Sequence, residues 1–309
     1  MLFQQYTILP AILWFIPLNK DIVSSLKEEI LEFIHVPNPL WGAALARRLY
    51  DQKMESLINT GILSSDMDYL LHKFISPGIN RSKSSREVLF SLADQTIWFE
   101  EPDMENLDHF HQQHGLELLS WKEVALFGGL SQFSQSMRLF SKAGDCAEGV
   151  ATLCKSVHFL SQPEPEYDIS YSHPDVPFSI FVSIGNEQNE SLVYRLSESI
   201  LHESMHLKLS LIESHLSLVD PQSEQTFYSP WRGQQRPARG VLHGMFVFRA
   251  VLDFYILMQQ SNNDPVVNDF IDWRIECIMS EMDLLIDFPG CSALTPDGAT
   301  LAANLLPLN

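Results

Sequence analysis

A chain of 309 residues, 45% of them hydrophobic, can bury a sizeable core and is long enough for one large or two ordinary domains. Its 20 Lys and Arg stand against 39 Asp and Glu, and the resulting net charge of −19 disfavours nucleic acid and anionic membrane surfaces as partners while tolerating a cationic peptide. The four cysteines, Cys146, Cys154, Cys277 and Cys291, form no CxxC pair and are too few for a disulfide framework, so free, mostly buried thiols are expected.

The first apolar run, Ile8 to Pro17, follows no basic residue, is bounded by Pro10 and Pro17, and is too short to span a bilayer. It reads as core packing, and the protein as cytoplasmic. Helical periodicity then predicts helices over Asp21–Ile34, Trp41–Thr60, Ser65–Phe74 and Ser84–Phe99, punctuated by Pro37, Pro39, Pro77 and Gly78. A polar loop from Pro102 to Gly115 carries His109, His111 and His114, whose irregular spacing reads as a solvated face. Further helices are predicted over Leu130–Ser141 and Cys146–Phe159. The stretch Tyr167–Ile184 changes character: after Pro174 and Pro177, the β-prone run Phe178–Ile184 is the best strand in the chain.

Asn189 is placed to cap a long helix over Leu192–Leu216. An irregular segment follows, Asp220–Gly240, rich in Pro and Gly and carrying Trp231, Arg232, Arg236 and Arg239. Loops of roughly 20 residues are uncommon in compact domains and are often functional. Three arginines there, in so acidic a protein, pair with neighbouring carboxylates or receive an anionic ligand. Val241–Gln259, with His243 in its first turn, and Val266–Ile286 read as helices. A last short helix opens at Leu294–Gly298, with Thr295 as cap and Pro296 in its first position. With no repeats and no convincing linker, the chain is expected to form one mainly helical domain over 1–309 with a small β element. Within it, a helical N-terminal region spans about 1–160 and a metal-site region about 167–305.

The long helix contains His202-Glu203-Ser204-Met205-His206, an HExxH motif. Histidines four apart on a helix lie one turn apart on one face, so both imidazoles can reach one metal ion. Leu192, Leu196, Ile200, Leu201, Met205, Leu209 and Ile212 make this helix an amphipathic, buried one, and buried histidines need polar partners or a metal. A third ligand is required. Leu209 and Ile212 stand where a metzincin carries Gly and His, which excludes that class. His215 falls on the opposite helix face. Glu213 and Glu224 are available carboxylates but lack the expected partner motif on a second helix. His243 is the better candidate, because a helix returning antiparallel would bring it to the His202/His206 face.

The ordered pattern of the Phe178–Ile184 strand, Leu201-His-Glu-x-x-His-x-Lys-Leu209, Tyr228-Ser-Pro-Trp-Arg232, Arg236-Pro237 and Gly240-Val-Leu-His-Gly244 resembles the HExxH-type peptide β-hydroxylases found with ribosomally made, modified peptides. The resemblance covers roughly Tyr167–Leu305 well and the N-terminal half loosely. It implies a largely helical Fe(II)- and 2-oxoglutarate-dependent oxygenase, distinct from the double-stranded β-helix oxygenases, that uses dioxygen to hydroxylate a side-chain β-carbon of a precursor peptide. His202, His206 and His243 would be the iron ligands. A dicarboxylate cosubstrate also needs a cation, and a guanidinium fork suits it. Arg236 is the first choice, because Pro237 restricts its backbone, and Arg232 the second. Glu203 is the candidate catalytic carboxylate, as a ligand, an orienter of an imidazole or a partner of bound water. Two other readings stand beside this one: a zinc hydrolase in which Glu203 activates metal-bound water, and a non-catalytic peptide-binding partner in a maturation assembly. The sequence sets no oligomeric state.

Overall fold

The computed structural model describes residues 20–36, 40–59, 87–100, 115, 117–162, 164, 167–172, 178–185, 191–261 and 264–307. The expected features at Ile8–Pro17, Ser65–Phe74, His109, His111, His114 and Asn189 lie outside the described residues. In chain order the helices are α1 (Lys20–His35), α2 (Ala43–Asn59), α3 (Trp121–Leu126), α4 (Gly129–Phe140), α5 (Asp145–Leu153), α6 (Ser191–Glu213), α7 (Ala238–Ser261), α8 (Pro265–Asp283) and α9 (Pro296–Leu305). The strands are β1 (Glu87–Leu92), β2 (Gln95–Glu100), β3 (Ser156–Ser161), β4 (Ser170–Ser172), β5 (Ser179–Ile184), β6 (Thr226–Ser229) and β7 (Gln234–Pro237). The protein is mainly α with a small β element. The described strands form an open sheet in the order β1-β2-β3-β5-β4 and a separate β6–β7 hairpin, so they make no double-stranded β-helix.

Three expectations are corrected. The run Ser84–Phe99 does not form a helix; its described part is the β1–β2 hairpin. Burial there alternates: Leu92, Ile97 and Phe99 face the core while Leu89 is exposed, a period of two. Ala93 and Asp94 both take positive φ, the geometry of a two-residue type I′ turn, without the Asn-Gly pair that would have announced it. The run Cys146–Phe159 is not one helix. It stops at Leu153, and Ser156–Ser161 becomes a parallel partner of β5, in register from Ser156↔Ser179 to Ser161↔Ile184. Both strands are buried along almost their whole length, as strands inside a covered parallel ladder are. Finally, Asp220–Gly240 is not irregular throughout. It contains β6–β7, and α7 starts at Ala238.

Helix α6 organises the molecule. It packs across β5 and β4 and touches α2, α4, α5 and α7. Eighteen of its 23 residues are buried, so almost all its polar side chains need partners inside the protein. Arg195 makes a bidentate pair with Asp168 at 2.8 and 2.9 Å. Glu198 receives Arg274 from α8 and the Tyr255 hydroxyl from α7. Lys208 is fully buried and donates to the carbonyls of Leu40 and Gly42, with the Phe33 ring 4.5 Å from its ammonium. This ties the segment between α1 and α2 to the helix that carries HExxH. Burial pulls the Lys208 pKa down to about 7.

The α6–α7 contacts run in opposite sequence directions. Glu213 meets His243, His202 meets Phe248 and Glu198 meets Tyr255, so α7 returns antiparallel to α6 as expected. Among the described residues α7 is the one helix long and apolar enough to cross a bilayer, but 72% of its most apolar window is buried in the fold. At the C-terminal end, Thr295 Oγ1 accepts from Gly298 N at 3.1 Å with Pro296 in the first helical position, the predicted cap. All four cysteines are free; Cys146 and Cys154 are buried, while Cys277 and Cys291 are partly exposed.

Candidate metal centre

One turn of α6 places His202 and His206 side by side, with their Nε2 atoms 3.1 Å apart. Two nitrogen ligands at about 2.1 Å from one ion, at right angles, stand about 3.0 Å apart. The pair therefore already has the spacing of two adjacent ligands. Both rings are buried. Burial holds the His202 pKa down to about 3, helped by the charges of Arg232 and Arg274, and it holds His206 well below the usual histidine range, helped by His202 and His243. Both imidazoles are thus neutral near pH 7 and can offer a lone pair, the state a metal requires.

His243, in the first turns of α7, is brought against His206. Its ring lies nearly parallel to that of His206, with centroids 5.4 Å apart, and its Nδ1 is 3.1 Å from His206 Nδ1. It approaches the opposite edge of His206 from the one facing His202. Of the three predicted ligands, His202 and His206 form an aligned pair and His243 is a contact of His206 on its far edge; among the described residues no three His, Cys, Asp or Glu side chains converge on one point. Beyond His243, its Nε2 lies 3.0 Å from Glu213 Oε2, and the same oxygen receives Arg239 Nε at 2.8 Å and Nη2 at 2.6 Å. Burial alone would raise the Glu213 pKa, but His243 and Arg239 overcome this and hold it down to about 2. Sequence reasoning undervalued Glu213. Its signal was present in the helical period: seven residues past His206 is about two turns, which returns to the same face. His215 forms no part of this row.

Glu203 leaves the histidine face and bridges α6 to the edge strand β4. Its Oε1 accepts from the Ser170 hydroxyl and its Oε2 from the Ser172 hydroxyl, both at 2.6 Å. Burial raises its pKa, opposed by those two hydroxyls and by Arg232. Neither serine was singled out by sequence reasoning, because a hydroxyl donor from a distant strand leaves no local pattern. Two serine hydroxyls tie this carboxylate to β4, away from the histidine face. Glu203→Gln is therefore expected to leave turnover within about tenfold of wild type, where loss of a general base would cost roughly 10²–10⁴. Steady-state rates of the purified variant decide between these outcomes.

A narrow pocket opens beside His202. Ser229, Trp231, Arg232, Arg236, Gly240, Gly244 and Phe248 complete its wall. The β6–β7 hairpin delivers both arginines: its turn carries Trp231 and Arg232, closed by Arg232 N and Gly233 N donating to Ser229 O, and β7 carries Arg236. Trp231 stacks on Phe248 at 4.8 Å, and it fits because Gly244 has no side chain: a Cβ there would lie 2.5 Å from the indole. The Arg236 guanidinium likewise lies over Gly240, one turn earlier on α7.

The three loop arginines divide. Arg239 is paired with Glu213. Arg232 and Arg236 form no ion pair among the described residues, and Arg232 Nη2 is buried without a hydrogen-bond acceptor. Burial and the charge of Arg236 lower the Arg232 pKa to about 10, with Tyr167 and Glu203 pulling the other way. By contrast Arg195, Arg249 and Arg274 each have a carboxylate partner. Two neighbouring guanidiniums without carboxylates, one with a desolvated donor, make a pocket that gains from an anion. Compared with known proteins, the chain matches no family model and no curated sequence.

Proposed function

We propose that the protein is an Fe(II)- and 2-oxoglutarate-dependent oxygenase that hydroxylates a side-chain β-carbon of a ribosomally made precursor peptide. The observation that carries this reading is the desolvated, acceptorless Arg232 Nη2 in a pocket whose wall includes His202. A metal ligand and an unmatched cation in one small pocket suit a ligand that chelates at one end and carries a carboxylate at the other. When bound, iron supplies dioxygen activation, coupling the decarboxylation of 2-oxoglutarate to succinate and carbon dioxide with insertion of the second oxygen atom into a C–H bond.

The chain's own residues supply the rest. His202 and His206 present Nε2 lone pairs at ligand spacing, and His243 is the nearest third imidazole. Arg232, with Arg236 beside it, receives the distal carboxylate. Trp231 and Phe248, stacked face to face, form an apolar side of the pocket. The peptide class of the substrate rests on the resemblance carried by Tyr228–Arg232, Arg236–Pro237 and Gly240–Gly244. The competing zinc-hydrolase reading needs Glu203 free to take a proton, and its engagement by Ser170 and Ser172 weighs against that.

The order of the two arginines follows from burial. Arg232→Gln is expected to raise the 2-oxoglutarate requirement about 10- to 100-fold, since a charge-assisted hydrogen bond is worth roughly 1.5–3 kcal/mol. Arg236→Gln should do less, because the buried nitrogen without an acceptor belongs to Arg232. The assay is succinate release by the anaerobically iron-loaded protein after admission of air, titrated with 2-oxoglutarate; it runs without knowing the peptide. No succinate from the loaded wild-type protein, or equal 2-oxoglutarate dependence in wild type and both variants, would sink the assignment.

A further inference from the structure

The described groups His202, His206, His243 and Glu213 form an unbroken row, linked at 3.1, 3.1 and 3.0 Å. We propose that Glu213 is the positioning residue of the site: it fixes the tautomer of His243 and, through it, the nitrogen that His206 presents. The functional meaning rests on the histidine pair being a metal centre, but the tautomer itself does not.

The argument is a count of donors and acceptors. An ionised carboxylate only accepts, and an arginine only donates. Arg239 delivers two N–H groups to Glu213 Oε2, so that oxygen is an acceptor, and His243 Nε2, on the same oxygen, must carry a proton. A neutral imidazole protonated at Nε2 is bare at Nδ1. His243 Nδ1 therefore accepts, and the group facing it, His206 Nδ1, donates. His206 is then bare at Nε2, the atom 3.1 Å from His202 Nε2. One carboxylate thus orients two rings and leaves the His206 lone pair pointing at the place where the His202 ligand atom also points. Carboxylate–imidazole pairs of this kind fix ring orientation and raise ligand basicity in metal sites. Arg239 holds the carboxylate in line, joining the end of α6 to the start of α7.

The test uses the full-length, metal-free protein with ¹⁵N-labelled histidine, compared as wild type, Glu213→Gln and Arg239→Gln. Long-range proton–nitrogen NMR at mildly alkaline pH should show His243 protonated at Nε2 and bare at Nδ1 in the wild type, and a mixture of tautomers in Glu213→Gln. Co(II) titration followed by visible absorption should show affinity falling roughly 10- to 100-fold in Glu213→Gln. Arg239→Gln, which keeps the carboxylate but loses its latch, should lower the Co(II) affinity less than Glu213→Gln does. Co(II) failing to bind the wild type, with His243 still protonated at Nε2, would sink the metalloenzyme reading and leave the tautomer assignment standing. Wild-type His243 protonated at Nδ1 or at both nitrogens overturns the proposal, and so do equal Co(II) affinities in wild type and Glu213→Gln. The wild-type spectrum decides even if the Glu213 variant does not fold.

Discussion

Replacing His206 by alanine is expected to abolish tight iron binding and the proposed hydroxylation while the protein remains folded. His206 is the centre of the row: Nε2 faces His202 and Nδ1 faces His243, so its removal breaks both contacts. The loss in metal affinity should exceed the roughly 10–100-fold that losing an outer partner costs. His202→Ala is expected to do the same, because it deletes the other half of the aligned pair. His243→Ala removes the ring that holds His206 from its far edge and is expected to lower the iron affinity as well. Stability should change less than function. The imidazole pair is a desolvated polar cluster in an apolar helix interface, and removing one ring relieves part of that burden while opening a small cavity. Iron content after anaerobic loading, read beside a thermal melt of each variant, separates loss of metal from loss of fold. Full iron occupancy in His206→Ala would place the metal elsewhere.

The largest effect on stability is expected from Arg274→Leu. Arg274 is 3% exposed, its Nη2 lies 2.6 Å from Glu198 Oε1, and Glu198 is fully buried. In the variant the buried carboxylate retains, among the described residues, the Tyr255 hydroxyl, donated at 2.8 Å. Breaking one side of a buried ion pair costs about 3–5 kcal/mol, because the partner charge is left uncompensated. Urea unfolding should show that loss through a lower midpoint. The double variant Glu198→Gln/Arg274→Leu removes both charges and should recover much of the loss. A cost below about 1 kcal/mol for the single variant would show that water reaches Glu198. The consequence reaches the metal site as well. The Arg274 guanidinium lies 5.5 Å from the Phe248 ring centre, and Phe248 contacts both His202 and Trp231. The ion pair that anchors α8 to α6 is thus also the backing of the pocket wall.

What the sequence by itself determined is what depends on neighbours within one or two turns. The four-residue spacing of His202 and His206, on a helix with an apolar repeat, was enough to put both rings on one face. Thr295 and Pro296 announced the start of α9, and the β-branched, aromatic run Phe178–Ile184 announced β5. The antiparallel return that brings His243 back was legible from two long helices joined by a segment of limited length. The tertiary structure decided whatever depends on a distant partner. Glu87–Glu100 and Ser156–Ser161 became strands because cross-strand pairing, of β1 with β2, β2 with β3 and β3 with β5, satisfies their backbone groups. Of three arginines within eight residues, Arg239 alone meets a carboxylate among the described residues, because α6 ends in Glu213 at that point. Glu203 turned to Ser170 and Ser172 because β4, more than 30 positions away in the chain, lies against its side of the helix. Helical phase is a local property that the chain carries with it, whereas the partner of a charge is set by which elements pack together, and long-range packing alone chooses that.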